Sequence, residues 1–222
     1  MKHVLLLPPE SLVATGGQRA VYLHPYDRTK LIKVLKPADQ LRRRNSFRGR
    51  VSAFLPSARI RLIRKEYSEY LRLMLNKLEL DEQLPISHMF GFVLTNLGVG
   101  CLTEHVMKPD GSVGETLASK IKSGTLTDGH IDMLNATVGR LYKHGARVGD
   151  MTAKNFVFGH RDNGNGNGPE ECVLVDGLGD IFAVQVRSMG SLPNRIGLDD
   201  SCKRLARKNR LNWDKERRQF AR

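Results

Sequence analysis

Three side chains carry the chemistry that this sequence offers: Asp150, Asn155 and Asp176. The first two frame Gly149-Asp150-Met151-Thr152-Ala153-Lys154-Asn155, which leads into the apolar run Phe156-Val157-Phe158. Twenty-one positions after Asn155, Val173-Leu174-Val175 ends in Asp176-Gly177-Leu178-Gly179. A loop lets two side chains five apart converge, and a hairpin brings a third carboxylate back beside them. Asp150 would face an attacking hydroxyl and take its proton. Asn155 and Asp176 would offer the hard oxygens that magnesium prefers. Singly, each carboxylate reads as a turn cap or the end of a strand. As an ordered set they suit transfer of a phosphoryl group from a magnesium-bound nucleotide to a hydroxyl.

Other elements must position that set. Leu12 to Leu23 reads as strand, glycine turn, strand, with Gly16-Gly17 at the turn; glycine lets backbone N–H groups approach a phosphate. Alone, such a turn is an ordinary hairpin. Leu31-Ile32-Lys33-Val34-Leu35 is a strand whose alternation puts Lys33 on the face opposite Ile32 and Val34. At that distance after the glycine turn, Lys33 suits nucleotide phosphates. From about Arg61 to Leu80 the pattern turns helical, with Leu62, Tyr70, Leu73 and Leu78 on the apolar stripe. Glu66 and Glu69 are three apart on one face. Either would pair with Lys33 and hold it towards phosphates, Glu66 being the first choice.

Leu84-Pro85-Ile86 introduces two further strands, Met89 to Leu94 and Gly100 to Val106, which complete a small antiparallel sheet. Glu104 to Gly114 is then the connector to the rest of the chain, with a turn at Lys108-Pro109-Asp110-Gly111. A purine would lie against this connector and use its backbone groups. Helices follow from Thr116 and from Thr127 to His144, with Thr127 or Asp128 as N-cap and Ile131, Leu134, Val138, Leu141 and Tyr142 as the buried stripe. Asn163 to Pro169 reads as a long hairpin tip. The last stretch reads as a basic helix anchored by Leu205, Trp213 and Phe220, docked on the larger lobe.

Of the 222 residues 40% are hydrophobic, enough for a sizeable core, and no run approaches the roughly 20 apolar residues of a membrane span. The start, Met1 to Pro9, is too short for a secretory leader and reads as a strand entering the fold. Cys101, Cys172 and Cys202 are far apart and odd in number, which excludes a disulfide framework and a zinc site. A cytoplasmic protein with no transmembrane segment is expected. The net charge of +13 is uneven: residues 1–80 carry 17 Lys/Arg against 6 Asp/Glu, residues 81–180 carry 8 against 13, and residues 181–222 carry 11 against 4. Residues 40–65 hold nine Arg/Lys and no acid. This basic arm, with Phe47 and Phe54, suits anionic partners. Nucleic acid is among them, though no recognised nucleic-acid-binding motif accompanies the arm.

Gly16-Gly17, Lys33, Glu66, Gly149-Asp150 with Asn155, and Asp176 together resemble the protein-kinase-like superfamily in its small bacterial form. The Gly149-Asp150 version of the loop is more similar to antibiotic phosphotransferases and bacterial glycan kinases than to regulatory Ser/Thr kinases. Thr15-Gly16-Gly17-Gln18-Arg19 leading to His24-Pro25, the stretch Arg64-Lys65-Glu66-Tyr67, and the 46 residues after Asp176 resemble the YrbL family, named for the PhoP regulatory network. The resemblance implies a bilobal α+β fold. Residues 1–106 would be a small antiparallel-sheet lobe with the glycine turn, the lysine strand, the basic arm 40–60 and the helix 61–80. Residues 107–222 would be a reduced helical lobe with the catalytic loop, the metal-binding hairpin and the basic helix.

It also implies ATP and Mg2+ as cofactors. Gly16, Gly17, Arg19, Lys33 and Glu104 would hold the nucleotide, with Lys33 fixed by Glu66. Asp150 would act on the acceptor, and Asn155 and Asp176 on the metal. The acceptor would be a hydroxyl of a small molecule or glycan, because the C-terminal part is too short for a large peptide-binding platform. Two departures stand out. Val148 is where the superfamily usually has His, and Thr152 is where Ser/Thr kinases have a lysine against the transferred phosphate. Lys154, Arg147 or Arg19 would have to supply that charge. These departures favour an alternative, a non-catalytic kinase-like regulator that binds nucleotide, or an anionic partner through its basic arms.

Overall fold

The computed structural model describes residues 4–37, 56–76, 83–162, 167–179 and 190–222. It is an α+β structure, and the chain divides into two compact units: Met1–Ile63 with His88–His105, and Arg64–Ser87 with Val106–Arg222.

In the first unit, alternating apolar residues build one antiparallel sheet of β1 (Leu12–Thr15), β2 (Arg19–Leu23), β3 (Lys30–Leu35), β4 (Met89–Thr95) and β5 (Gly98–Glu104), in the order β1-β2-β3-β5-β4. Ile32 and Val34 of β3 are buried with Leu7, and Leu5, Tyr22 and Val93 pack against them. Lys33 points to the other face, as a period of two requires. It is also buried, opposite Val21 on β2 and Cys101 on β5. Among the described residues the expected N-terminal strand is one parallel bridge from Leu5 to Thr95. Pro8 and Pro9 follow directly and bring no N–H with which a ladder could continue.

Helix α1 (Pro56–Leu75) begins five residues before the expected start at Arg61 and ends before Leu80. Pro56 suits the first turn, where its missing N–H costs nothing and its fixed φ is already helical. Arg59, Arg61, Arg64 and Lys65 of the basic arm are therefore helical residues. Residues 40–55 of the arm, with Phe47 and Phe54, lie outside the described residues, as do Leu78 and Leu80. Glu66, Glu69, Tyr70 and Leu73 form one buried stripe at helical spacing.

The second unit holds α2 (Leu117–Ser123), α3 (Asp128–Lys143) and a three-stranded sheet of β6 (Glu115–Thr116), β7 (Phe156–Asp162) and β8 (Asn167–Leu174). It also holds α4 (Ser191–Asn209) and a hairpin of β9 (Asn212–Asp214) and β10 (Gln219–Ala221). Thr116 caps α2, and Thr127 caps α3 in a reciprocal box with His130. Ile131, Leu134, Val138 and Leu141 of α3 are buried, whereas Tyr142 is only half-buried. Phe156 and Phe158 of β7 and Leu174 of β8 are also buried, while Val157 and Val173, which pair with each other, pack with Val106 in a separate cluster. Because Asp162 pairs with Asn167, residues 167–169 belong to β8 and not to the expected hairpin tip, of which 163–166 lie outside the described residues.

The expected C-terminal helix stops at Asn209. Arg210 ends it in the left-handed conformation at φ 56°, and Trp213 and Phe220 face each other across the hairpin. Asp214 turns the chain by accepting the N–H groups of Glu216 and Arg217. Asn135 of α3 then holds Phe220 through both its N–H and its carbonyl. No described helix is long and apolar enough to cross a membrane.

Candidate active site

The loop before Asp150 starts where α3 ends. Gly145, at φ 58°, reverses the chain, and Ala146 N–H returns to Leu141 O at 2.9 Å. From there the backbone docks onto residues 177–179. Arg147 O accepts Gly179 N–H at 2.8 Å, and the N–H groups of Gly149 and Asp150 both reach Gly177 O, at 2.9 and 3.2 Å. Val148 is fully buried and bridges Leu178 and Gly179. The chain thus packs a small apolar side chain in the core at this position.

Asn155 closes the loop. Its Nδ2 donates to Asp150 O at 2.8 Å, its N–H to Thr152 O at 3.0 Å, and its own carbonyl accepts Val175 N–H at 2.8 Å. Only the amide NH2 can donate to a carbonyl, so this bond fixes the rotamer and leaves Oδ1 as the group available to a ligand. Asp176 uses Oδ1 to accept Gly177 N–H at 2.7 Å. Gly177 stands at φ 91°, and a Cβ there would lie 2.3 Å from Asp150 O and 3.0 Å from Asn155 Nδ2. Asp150, Asn155 and Asp176 are therefore gathered round one glycine, with the Asp150 side chain exposed. Among the described residues no three His, Cys, Asp or Glu side chains cluster as a metal site. The donor pair here is one amide oxygen and one carboxylate, hard oxygens of the type magnesium takes while keeping its waters.

A second group ties the loop to α1. Glu69, with a side chain 3% exposed, accepts the backbone N–H of Arg147 at 2.8 Å. It also accepts Arg72 Nε at 3.0 Å and Nη2 at 2.5 Å, and Arg147 Nη1 lies 3.6 Å away. The Arg72 guanidinium is held above its usual pKa by this carboxylate, against the opposing effect of burial. Sequence reasoning had Glu69 as a second choice for Lys33. Within its own unit Glu69 is committed to Arg72 and Arg147. Arg147 in turn pairs with Glu69, while Lys154 is exposed in the loop between Asp150 and Asn155. Nothing in the sequence marks the link from Glu69 to Arg147; the two are 78 positions apart.

The remaining expected residues lie apart from this group in the chain. Glu66 is buried on α1, one turn before Glu69. Lys33, Gly16, Gly17, Arg19 and Glu104 belong to the first unit. Gly16 N–H donates to Arg19 O at 2.8 Å, and Lys36 Nζ donates to Gly16 O at 2.7 Å, which pins the glycine turn. A Cβ at Gly16 would meet only Arg19 O, at an ordinary 3.5 Å. Packing within the turn therefore does not require glycine there, and the bare Cα is open to close approach by a ligand. Glu104 is engaged by His88 twice, giving its N–H to His88 O and taking His88 N–H on its carboxylate.

A family model described as PhoP regulatory network protein YrbL matches residues 5–210. Among solved structures, the chain is similar to the kinase domain of Mycobacterium tuberculosis PknI in a singly and a doubly mutated form. Identity is 14% and 13%, the match covers 87% of this chain and 71% of the kinase domain in each case, and the TM-score is 0.48 for both. No curated protein matches.

Proposed function

The chain belongs to the YrbL family of PhoP regulatory network proteins, and we propose that it is a kinase-like phosphotransferase that moves a phosphoryl group from ATP, with Mg2+, to a hydroxyl of a small molecule or glycan. The observation that supports this most is the convergence of Asp150, Asn155 and Asp176 on Gly177, with the Asp150 side chain exposed and the Asn155 amide oriented by its bond to Asp150 O. Magnesium-bound ATP would supply the transferable group and neutralise its charge. Asn155 Oδ1 and the Asp176 carboxylate would hold the metal. The Asp150 backbone is fixed from both sides, by Gly177 O and by Asn155 Nδ2, so its exposed carboxylate would hold an acceptor hydroxyl and take its proton as the new O–P bond forms and the γ-phosphorus parts from the bridging oxygen of the departing ADP. Lys33, buried in β3, would hold nucleotide phosphates, with Glu66 as its partner. Gly16, Gly17 and Arg19 would line the turn over them. Catalysis of this kind is mostly positioning and charge neutralisation.

Thermal shift with and without Mg2+ and ATP tests the nucleotide site on wild type, Lys33→Ala and Asp176→Ala. Wild type should be stabilised and both variants should not. Asp150→Ala should keep the thermal shift and lose turnover by at least about a hundredfold, the scale of a general base. Full turnover by Asp150→Ala, or no stabilisation of wild type, would overturn the assignment.

One observation favours the regulator reading. Lys203, Arg207, Lys208, Arg210 and Lys215 are exposed at the end of α4 and on the hairpin, while Leu205, Leu211 and Phe220 turn inward. That leaves a cationic surface at this end of α4, suited to an anionic partner. If that partner is nucleic acid, binding should weaken with salt at a slope of about −0.7 to −0.9 per phosphate contacted, which a filter-binding titration reads.

A further inference from the structure

We infer that Glu69 is the positioning residue for the loop that carries Asp150, so that α1 and this loop are mechanically one piece. The catalytic consequence rests on the proposed phosphotransfer; the mechanical one does not. A carboxylate buried to this degree is costly unless charge and hydrogen bonds surround it. Glu69 has both: Oε1 takes Arg147 N–H and Arg72 Nη2, and Oε2 takes Arg72 Nε and faces Arg147 Nη1. Arg72 Nη2 also donates to Gly145 O at 2.8 Å, so α1 grips the loop at residue 145 and again at residue 147.

Beyond Arg147 the loop has no slack. Its carbonyl is bound by Gly179, Val148 is buried against 178–179, and the next two N–H groups share Gly177 O. A shift of α1 at Glu69 is thus passed through committed backbone bonds to Asp150, three residues on. The bond from Glu69 to a main-chain N–H matters most, because it places the backbone whatever side chain follows. An ordinary ion pair between Glu69 and the Arg147 guanidinium would make the opposite demand.

Amide hydrogen exchange on the full chain separates the two. Glu69→Ala should speed exchange of the amides of Arg147, Gly149 and Asp150 at least about tenfold, a local opening, with the β7–β8 amides within twofold of wild type. Arg147→Ala keeps the main-chain N–H and should leave Gly149 and Asp150 within about threefold. Glu171→Gln on β8, which weakens the ion pairs with Arg140 of α3 and Arg161 of β7, is the control and should not touch the loop. The inference is wrong if Glu69→Ala leaves the loop amides unchanged, if it loosens β7–β8 equally, or if Arg147→Ala matches it. For catalysis, Glu69→Ala should keep the Mg2+–ATP thermal shift and lower turnover at least about tenfold. Wild-type turnover in a variant with a loosened loop would overturn the catalytic half. If wild type neither binds nor turns over nucleotide, the proposed function fails while the exchange result still decides the mechanical half.

Discussion

Gly177 shows how little room the loop leaves. Two demands meet there, a φ of 91° and a neighbour, Asp150 O, that a Cβ would approach to 2.3 Å. Either alone costs about 1–3 kcal/mol, and the neighbour is main chain and cannot rotate away. Gly177→Ala should therefore lower the unfolding free energy by about 2–4 kcal/mol in urea titration and abolish the proposed phosphotransfer by displacing Asp150. A variant as stable as wild type would mean that the loop can repack. The thiols make a second residue-scale prediction. Cys101, Cys172 and Cys202 are all buried, and burial pushes the Cys172 thiol far above its ordinary pKa. None should react with an aqueous thiol reagent until the protein unfolds, since the thiolate is the reactive form.

At the scale of elements, α3 carries the second unit. It presents Leu134, Val138 and Leu141, none of them exposed, and donates the Thr137 hydroxyl to Cys172 O at 2.5 Å on β8. Its C-terminal end feeds the loop of Asp150, so its packing sets where that loop begins. Removing the Leu134 side chain leaves a cavity that the surrounding sheet cannot fill, and Leu134→Ala should cost about 2–5 kcal/mol. Thr127→Ala removes only the cap, an acceptor at the exposed end of the helix, and should cost about 1 kcal/mol. Denaturant titration that ranked the cap above the core leucine would contradict this account of the element.

Across the whole molecule, acid should act in two stages. Burial lowers the pKa values of His24, His105 and His130 below the ordinary 6.5. His105 shows why: Nδ1 bonds Arg28 O at 2.7 Å, and Nε2 is buried with no hydrogen-bond partner among the described residues, so a second proton would meet none of them. Unfolded, each histidine titrates near 6.5, and below that pH the unfolded chain binds more protons than the folded one. Their contribution is complete above 6.5 and declines as pH falls through the lower folded values. Carboxylates follow. Lys30 and Thr29 hold Asp27 down at about 2, and Lys120 holds Glu115 below its ordinary 4.5; their contribution is present above the ordinary values and is lost below them. Melting temperature at constant ionic strength should fall on acidification from pH 7 towards 5 and again below about 4.5. A flat profile between pH 7 and 5 would refute the first stage, and His105→Gln should shrink it.

Much of this was legible in the sequence because it is local. Alternation announced β1 to β5, Thr127 announced the start of α3, and the order Asp150, Asn155, strand, turn, strand, Asp176 announced a loop and a hairpin that bring these residues together. Each of these signals is carried by neighbours within a few positions, where backbone preference and side-chain period act directly. The misses have local causes too, competing ones. Pro8 and Pro9 stopped a strand that hydrophobicity favoured, Pro56 started a helix among arginines, and Asp214 bent a basic run that helical spacing would have continued. What the sequence could not disclose is the choice of partners across long separations. That Glu69 would meet the arginine of a loop depends on how residues 64–75 pack against the end of α3. The conformation demanded of Gly177 depends on Asp150 O arriving from another element. Those choices belong to the tertiary structure, because they are made by packing and by the cost of burying a charge without company.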